Sequence, residues 1–260
     1  MRRVPSVLCA FGGLFLLACL AGCAASSAPP KPKPPDPLTQ AITHTRLAQS
    51  YLNAGKIHDA VAELQKAVTL APDRADIWNF SGQVLFLAGR YPEAEEAYDI
   101  AIEKDPYLTD ARNNLGVLYD RTGRKSEAEE EYRKTLADPA YSTPEKARLN
   151  LGLLYISEGK TDAAILELRR SVEVAPKYYR AHYELATQLE AVGMFDEAAR
   201  EYEVALPEYR SSGEYQYRLG FTYFRLGNKS KALEHLKRVQ EVSPGSENAA
   251  RADEILKLVQ

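Results

Sequence analysis

The sequence predicts an all-α solenoid of six helix–turn–helix repeats, and three observations carry that prediction. First, six hexapeptides begin with Gly and end with Ala: GKIHDA at 55–60, GRYPEA at 89–94, GRKSEA at 123–128, GKTDAA at 159–164, GMFDEA at 193–198 and GNKSKA at 227–232. Second, their glycines step by 34, 34, 36, 34 and 34 residues. Third, the same residue types recur around each Gly. A small residue lies seven before it (Ala48, Gly82, Gly116, Gly152, Ala186, Gly220), and Tyr or Leu lies four before it (Tyr51, Leu85, Tyr119, Tyr155, Leu189, Tyr223). A large residue lies nine after it (Leu64, Tyr98, Tyr132, Leu168, Tyr202, Leu236). Self-similarity at this period marks units that bury an apolar face only by stacking on a neighbour.

The chain opens on a segment that does not read as fold. Arg2 and Arg3 precede an uncharged run from Val7 to Leu20, the length of a signal-peptide apolar core. It ends in Leu20-Ala21-Gly22-Cys23, which resembles the bacterial lipobox. That resemblance implies removal of residues 1–22 and acylation of Cys23. Cys9 and Cys19 leave with the signal, so Cys23 is the one remaining thiol. The alternative is a single transmembrane anchor over Val4 to Ala25, which Pro5, Ser6 and two glycines weaken as a spanning helix. Among lipoproteins of this type, Ala24 rather than Asp after the cysteine implies the outer membrane. Cys23 and a Pro-rich tether make up residues 23–40. Ala24 to Pro37 holds six prolines and reads as a semi-rigid polyproline spacer of at most about 43 Å.

The repeats follow at 41–74, 75–108, 109–142, 145–178, 179–212 and 213–246. Small residues seven before each Gly, with the hexapeptide Ala, let two helices approach closely, and the large residues fill the space around that contact. Each Gly suits the left-handed conformation that closes a first helix. Asp59, Ser126, Asp162, Asp196 and Ser230 offer N-cap oxygens to the second helix. Pro72, Pro106, Pro176 and Pro244 end the second helix, because a proline cannot continue the ladder. Two irregularities stand out. The third-to-fourth connection gains two residues around Pro139 and Pro144, which should loosen or re-angle the stack. The fifth repeat has an early Pro207 followed by EYRSSG, a hinge or partner-contact loop if it is more than loop drift. Residues 247–260 form an amphipathic capping helix in which Ala250, Ile255, Leu256 and Val259 cover the last repeat.

This pattern resembles the tetratricopeptide repeat, a 34-residue helix–turn–helix. The second copy is the most complete, with Trp78, Gly82, Leu85, Ala94, Tyr98, Ala101 and Pro106 in the expected places. The resemblance implies a right-handed superhelix whose first helices line a concave groove.

Composition narrows the function. Of 260 residues, 45% are apolar and 27% charged, which fits a globular chain and excludes a polytopic membrane protein. Lys and Arg number 33 against 36 Asp and Glu, a net charge of −3, which argues against nucleic-acid binding. No nucleotide is expected either. Gly152 to Thr161 is like a phosphate loop, but its glycines are too far apart and a helix rather than a strand precedes the turn. His44, His58, His182 and His235 share no helix at metal-ligand spacing, so no metal or cofactor is expected. The acidic run Glu127 to Glu131 reads as a solvated face. With no nucleophile–base pair and no room beside the repeats, an enzyme is not expected. Function must lie in a surface.

In the resembled fold, groove-facing positions of the second repeat fall on Asn79, Gln83, Phe86 and Leu87. Those of the third fall on Asn113, Val117, Asp120 and Arg121, and those of the fourth on Leu149, Leu153 and Ile156. Tyr183, Thr187 and Glu190 follow in the fifth, then Tyr217, Phe221 and Phe224 in the sixth. An apolar wall with amides suits an extended polypeptide. Some of these residues, Phe221 and Phe224 above all, have packing under the last helix as an equal alternative. Thr45 and Gln49 depart from the Lys and Asn of repeats that clamp chaperone carboxylates. Lipobox, tether and six repeats together resemble the PilF/PilW/Tgl family of type IV pilus pilotins. That implies a lipid-anchored periplasmic protein that binds the outer-membrane secretin and aids its assembly, the bilayer being met through Cys23. The alternative is a general periplasmic scaffold that recruits cell-envelope enzymes.

Overall fold

The computed structural model describes residues 35–259. Cys23, the signal and most of the tether lie outside the described residues. Among those described there are thirteen α-helices and no strand. The first helices of the six repeats are α1 (Pro37–Asn53), α3 (Ala75–Leu87), α5 (Thr109–Arg121), α7 (Pro144–Ser157), α9 (Tyr179–Ala191) and α11 (Gly213–Arg225). The second helices are α2 (Ile57–Leu70), α4 (Tyr91–Lys104), α6 (Lys125–Ala137), α8 (Thr161–Val174), α10 (Phe195–Tyr209) and α12 (Lys229–Val242). The last helix is α13 (Glu247–Val259).

Each hairpin closes in one way. The six repeat glycines take φ between 72 and 83°. The next residue's N–H then reaches back five residues, as Lys56 to the Tyr51 carbonyl at 2.9 Å and Arg124 to the Tyr119 carbonyl at 2.8 Å. This satisfies a carbonyl that the helix end leaves free. The expected N-caps Asp59, Ser126, Asp162, Asp196 and Ser230 are not caps. Those positions lie inside the first turn, and the caps are Lys56, Arg124, Lys160, Met194 and Asn228. Only Asn228 among them caps with its side chain, accepting from the Lys231 amide at 3.2 Å. The tight glycine turn already fixes the entry to the second helix. The acidic side chains still favour the positive helix end. The first helix also begins earlier than residue 41, because Asp36 accepts from the Thr39 amide at 3.0 Å and Pro37 suits the first turn.

The small positions are set by the side chain opposite. A Cβ on Gly82 would lie 2.6 Å from Tyr98 Cε1, and one on Gly116 would lie 2.7 Å from Tyr132 Cε1. At Gly152 and Gly220 a Cβ would lie 2.9 and 2.8 Å from the Cγ of Leu168 and Leu236. A polar rung repeats on the same hairpins. His44 meets Glu63 at 2.6 Å, Arg148 meets Glu167 at 2.9 Å, His182 meets Glu201 at 2.6 Å and His235 meets Gln216 at 2.9 Å. Glu131 belongs to this set. It is buried against Arg112 and Lys134, contrary to the expected solvated face, because its helix position points at the preceding helix.

Both irregular segments are tied down. Asp138 accepts from the Thr109 hydroxyl and the Ala140 amide, and Tyr141 is buried in the added connection. Helix α10 continues through Pro207 to Tyr209, whose ring stacks on Tyr183 at 4.9 Å and Tyr215 at 5.5 Å. Aromatic packing therefore replaces the missing closing proline. In α13 the buried face is Ala249, Ala252, Ile255, Leu256 and Val259. Ala250 is exposed, one position off the buried stripe.

One buried rung gives a pH prediction. Gln216 donates to the Arg210 carbonyl at 2.8 Å, so its oxygen faces His235 Nδ1 and holds the neutral, Nδ1-protonated ring. Burial pushes the His235 pKa down, against Glu234 and Glu203, which raise it. The folded state thus binds this proton less readily than the unfolded state does. The contribution is complete above the ordinary histidine pKa near 6.5 and is lost as pH falls below it. His235→Gln should flatten the loss of stability between about pH 6.5 and 5. Urea melts at several pH values measure it, and parallel curves for the two proteins would refute it.

Candidate protein-binding groove

Neighbouring first helices touch, as α3 with α5, α5 with α7 and α11 with α13, whereas neighbouring second helices make no comparable contact. The first helices therefore lie on the inner side of the curve, and their free faces form its wall.

The wall has two chemically distinct halves. In repeats two to four, amides fasten neighbours together. Asn114 Nδ2 donates to Asn79 Oδ1 at 2.9 Å, and Asn150 Nδ2 donates to Asn113 Oδ1 at 3.1 Å. Asn79 and Asn113 are only 9% and 8% exposed. Their oxygens are therefore occupied across the repeat boundary. The oxygens act as internal ties, and what these amides can still offer a bound backbone is their Nδ2 donors. Leu149 is a plain correction. It is 0% exposed and belongs to the core with Leu168 and Leu185. It occupies the position of Asn79 and Asn113, but the neighbouring repeats close over it. Gln83, Phe86, Val117, Leu153 and Ile156 are half-buried, and Leu87 is 55% exposed.

The second half is aromatic and charged. Tyr183, Tyr217 and Phe221 are half-buried along it. Phe221 and Phe224 also pack on the core that includes α13. Arg218 donates from Nε to Glu214 at 3.1 Å and lies 3.4 Å from Glu190 through Nη1. The Tyr202 hydroxyl donates to Glu190 at 2.8 Å. Burial holds the Glu190 and Glu184 carboxyls above the ordinary carboxylate range, against nearby arginines. A recess of about 180 Å³ opens between Tyr217, Arg218, Phe221 and the α13 residues Asn248 and Arg251. The Arg251 guanidinium sits 4.7 Å from the Tyr217 ring centre. Asn248 and Arg251 are absent from the positions expected from sequence. Their signal is nonetheless there, since they stand 34 residues after Glu214 and Tyr217, so α13 continues the register as the first helix of a further half-repeat.

Models of the tetratricopeptide repeat match residues 45–109, 108–138, 149–212 and 213–246. The chain belongs to the tetratricopeptide-repeat family. TPR proteins of this architecture are protein-interaction scaffolds, a fold typical of non-enzymatic partners.

Solved structures agree on the fold. PilW, a widely conserved type IV pilus biogenesis factor, is 25% identical, with a TM-score of 0.69 over 83% of this chain and 98% of its own. Pseudomonas aeruginosa PilF is 19% identical, with a TM-score of 0.74 over 84% of this chain and 98% of its own. YrrB, a TPR protein with an unusual peptide-binding site, is 23% identical, with a TM-score of 0.59 over 74% and 97%. This TPR solenoid thus resembles PilW and PilF along nearly their whole length.

Proposed function

We propose that this TPR protein is a pilotin-type lipoprotein of type IV pilus biogenesis. Acylated Cys23 holds it on the periplasmic face of the outer membrane. The groove binds secretin protomers and promotes their assembly into the pilus pore. The likeness to PilW, covering 98% of that chain at 25% identity, carries this reading. The chemistry of the wall supports it. Exposed Leu87 and half-buried Leu153 and Tyr183 offer apolar contact to an unassembled segment, while Arg218 and Arg251 offer charge-assisted donors. The TPR fold needs no catalytic group for this work.

Deleting the gene should abolish secretin multimers and twitching motility, with protomers remaining as monomers. Cys23→Ser should remove the anchor. Several acyl chains, each contributing about 0.8 kcal/mol per buried methylene, would be lost together. The variant should leave the membrane fraction and restore multimers poorly. Heat-resistant multimers on denaturing gels and membrane fractionation read both outcomes. Normal multimers in the deletion strain would overturn the proposal. Normal multimers with disturbed cell shape would point to a general envelope scaffold instead.

A further inference from the structure

The outer face carries a recess that the groove does not include. It opens between α6 and α8, at the junction with the longer connection, and holds about 510 Å³, within the range of ligand pockets. Leu136, Leu151 and Leu166 line its apolar part, and Leu166 is 49% exposed at its edge.

Charge around it is unbalanced. Arg148 Nη1 and Arg170 Nη1 share one carboxylate, Glu167, at 2.9 and 2.6 Å. Arg133, also at the rim, is matched by Glu129 at 2.6 Å. One positive charge is left over, in a chain whose net charge is −3. The Arg148 guanidinium is also under-bonded, since its buried Nε has no acceptor. Buried donors are rarely left so.

The corresponding recess between α10 and α12 is different. There Arg210 and Arg238 face Glu234 and Glu241, and the interior is the polar pair Gln216 and His235 with the single leucine Leu206. Surplus guanidinium charge beside a leucine-lined interior thus distinguishes this recess from the one between α10 and α12. A concave recess between two helices does not fit a flat bilayer. It fits an inserted segment, in the manner of a helix laid into a groove.

The geometry points to a second docking site here, for an acidic amphipathic segment of a partner protein. Large apolar side chains of that segment rest on Leu136, Leu151 and Leu166, and its carboxylate pairs with Arg148 and Arg170. The scaffold then holds two partners on opposite faces. This inference does not depend on the pilotin reading.

The test uses the full chain in detergent and a labelled synthetic helical peptide. The peptide carries Leu or Phe at i, i+3, i+4 and i+7, flanked by Glu. A second peptide has Lys in place of every Glu. Fluorescence anisotropy should show the acidic peptide binding about tenfold or more tighter than the basic one. Leu166→Asp and Arg170→Glu should each weaken it about tenfold. The groove variant Leu87→Asp/Leu153→Asp should leave it unchanged, and circular dichroism should show each variant folded. Arg170→Glu should also shift preference toward the basic peptide, an outcome that a merely unstable variant does not produce. The inference is overturned if neither peptide binds or if both bind equally. It is also overturned if Leu166→Asp and Arg170→Glu bind like the parent, or if anionic phospholipid added to the detergent micelles displaces the acidic peptide from the Leu166 site.

Discussion

Replacing Gly82 by valine is expected to destabilise the protein by about 3 kcal/mol, the upper end of overpacking costs. For a domain of this length that lowers Tm by about 6–12 °C. The reason is local. A Cβ at Gly82 already falls 2.6 to 3.0 Å from three atoms of the Tyr98 ring, and that ring is fully surrounded. Valine adds two further methyls in the one χ1 orientation that a helix favours. Gly82→Ala should be far milder. Alanine gains about 1 kcal/mol of helix propensity over glycine, which offsets much of the clash. The fifth repeat shows the tolerance directly, since buried Ala186 and Tyr202 occupy the same two positions there. Thermal and urea melts of the two variants settle the matter. Equal stability of Gly82→Val and Gly82→Ala would show that the ring can move aside.

Placing charge on the groove wall should abolish partner binding without unfolding the chain. Leu87→Asp changes an exposed side chain and should alter stability by no more than about 0.5 kcal/mol. Leu153→Asp adds a second carboxylate on α7, beside a core it touches only in part. A desolvated carboxylate facing an apolar partner segment loses hydration with no compensating bond. Under the pilotin proposal, the double variant should bind purified secretin protomers at least about 30-fold more weakly, a loss of about 2 kcal/mol. Titration calorimetry with the periplasmic part of the secretin reads this. Unchanged affinity in a folded variant would place the partner elsewhere on the surface.

The repeat register is legible in the sequence because it is written in residues with local, backbone-level reasons. Glycine is needed where φ is near +75°, and proline where a ladder must stop. The N-cap assignments fail at the same turns, because the glycine turn sets the cap at Lys56, three residues before Asp59, and at Lys160, two residues before Asp162, and leaves no room for a separate cap. Exposure is the other loss. Leu149, Asn79 and Asn113 share a repeat position, yet one is core and two are inter-repeat ties. The deciding neighbours come from residues 35 to 37 further along, which a single repeat does not contain.

The sequence by itself determined the number of repeats, their hairpin turns and the all-α class, since each follows from short-range steric rules repeated in register. The tertiary structure decided which wall residues are free. It turned two asparagines inward, buried Leu149, and brought α13 in to complete the groove with Asn248 and Arg251. It also left an under-bonded Arg148 on the far side. Those outcomes depend on how neighbouring hairpins close on one another, and burial of a side chain is a property of the pair of surfaces that meet.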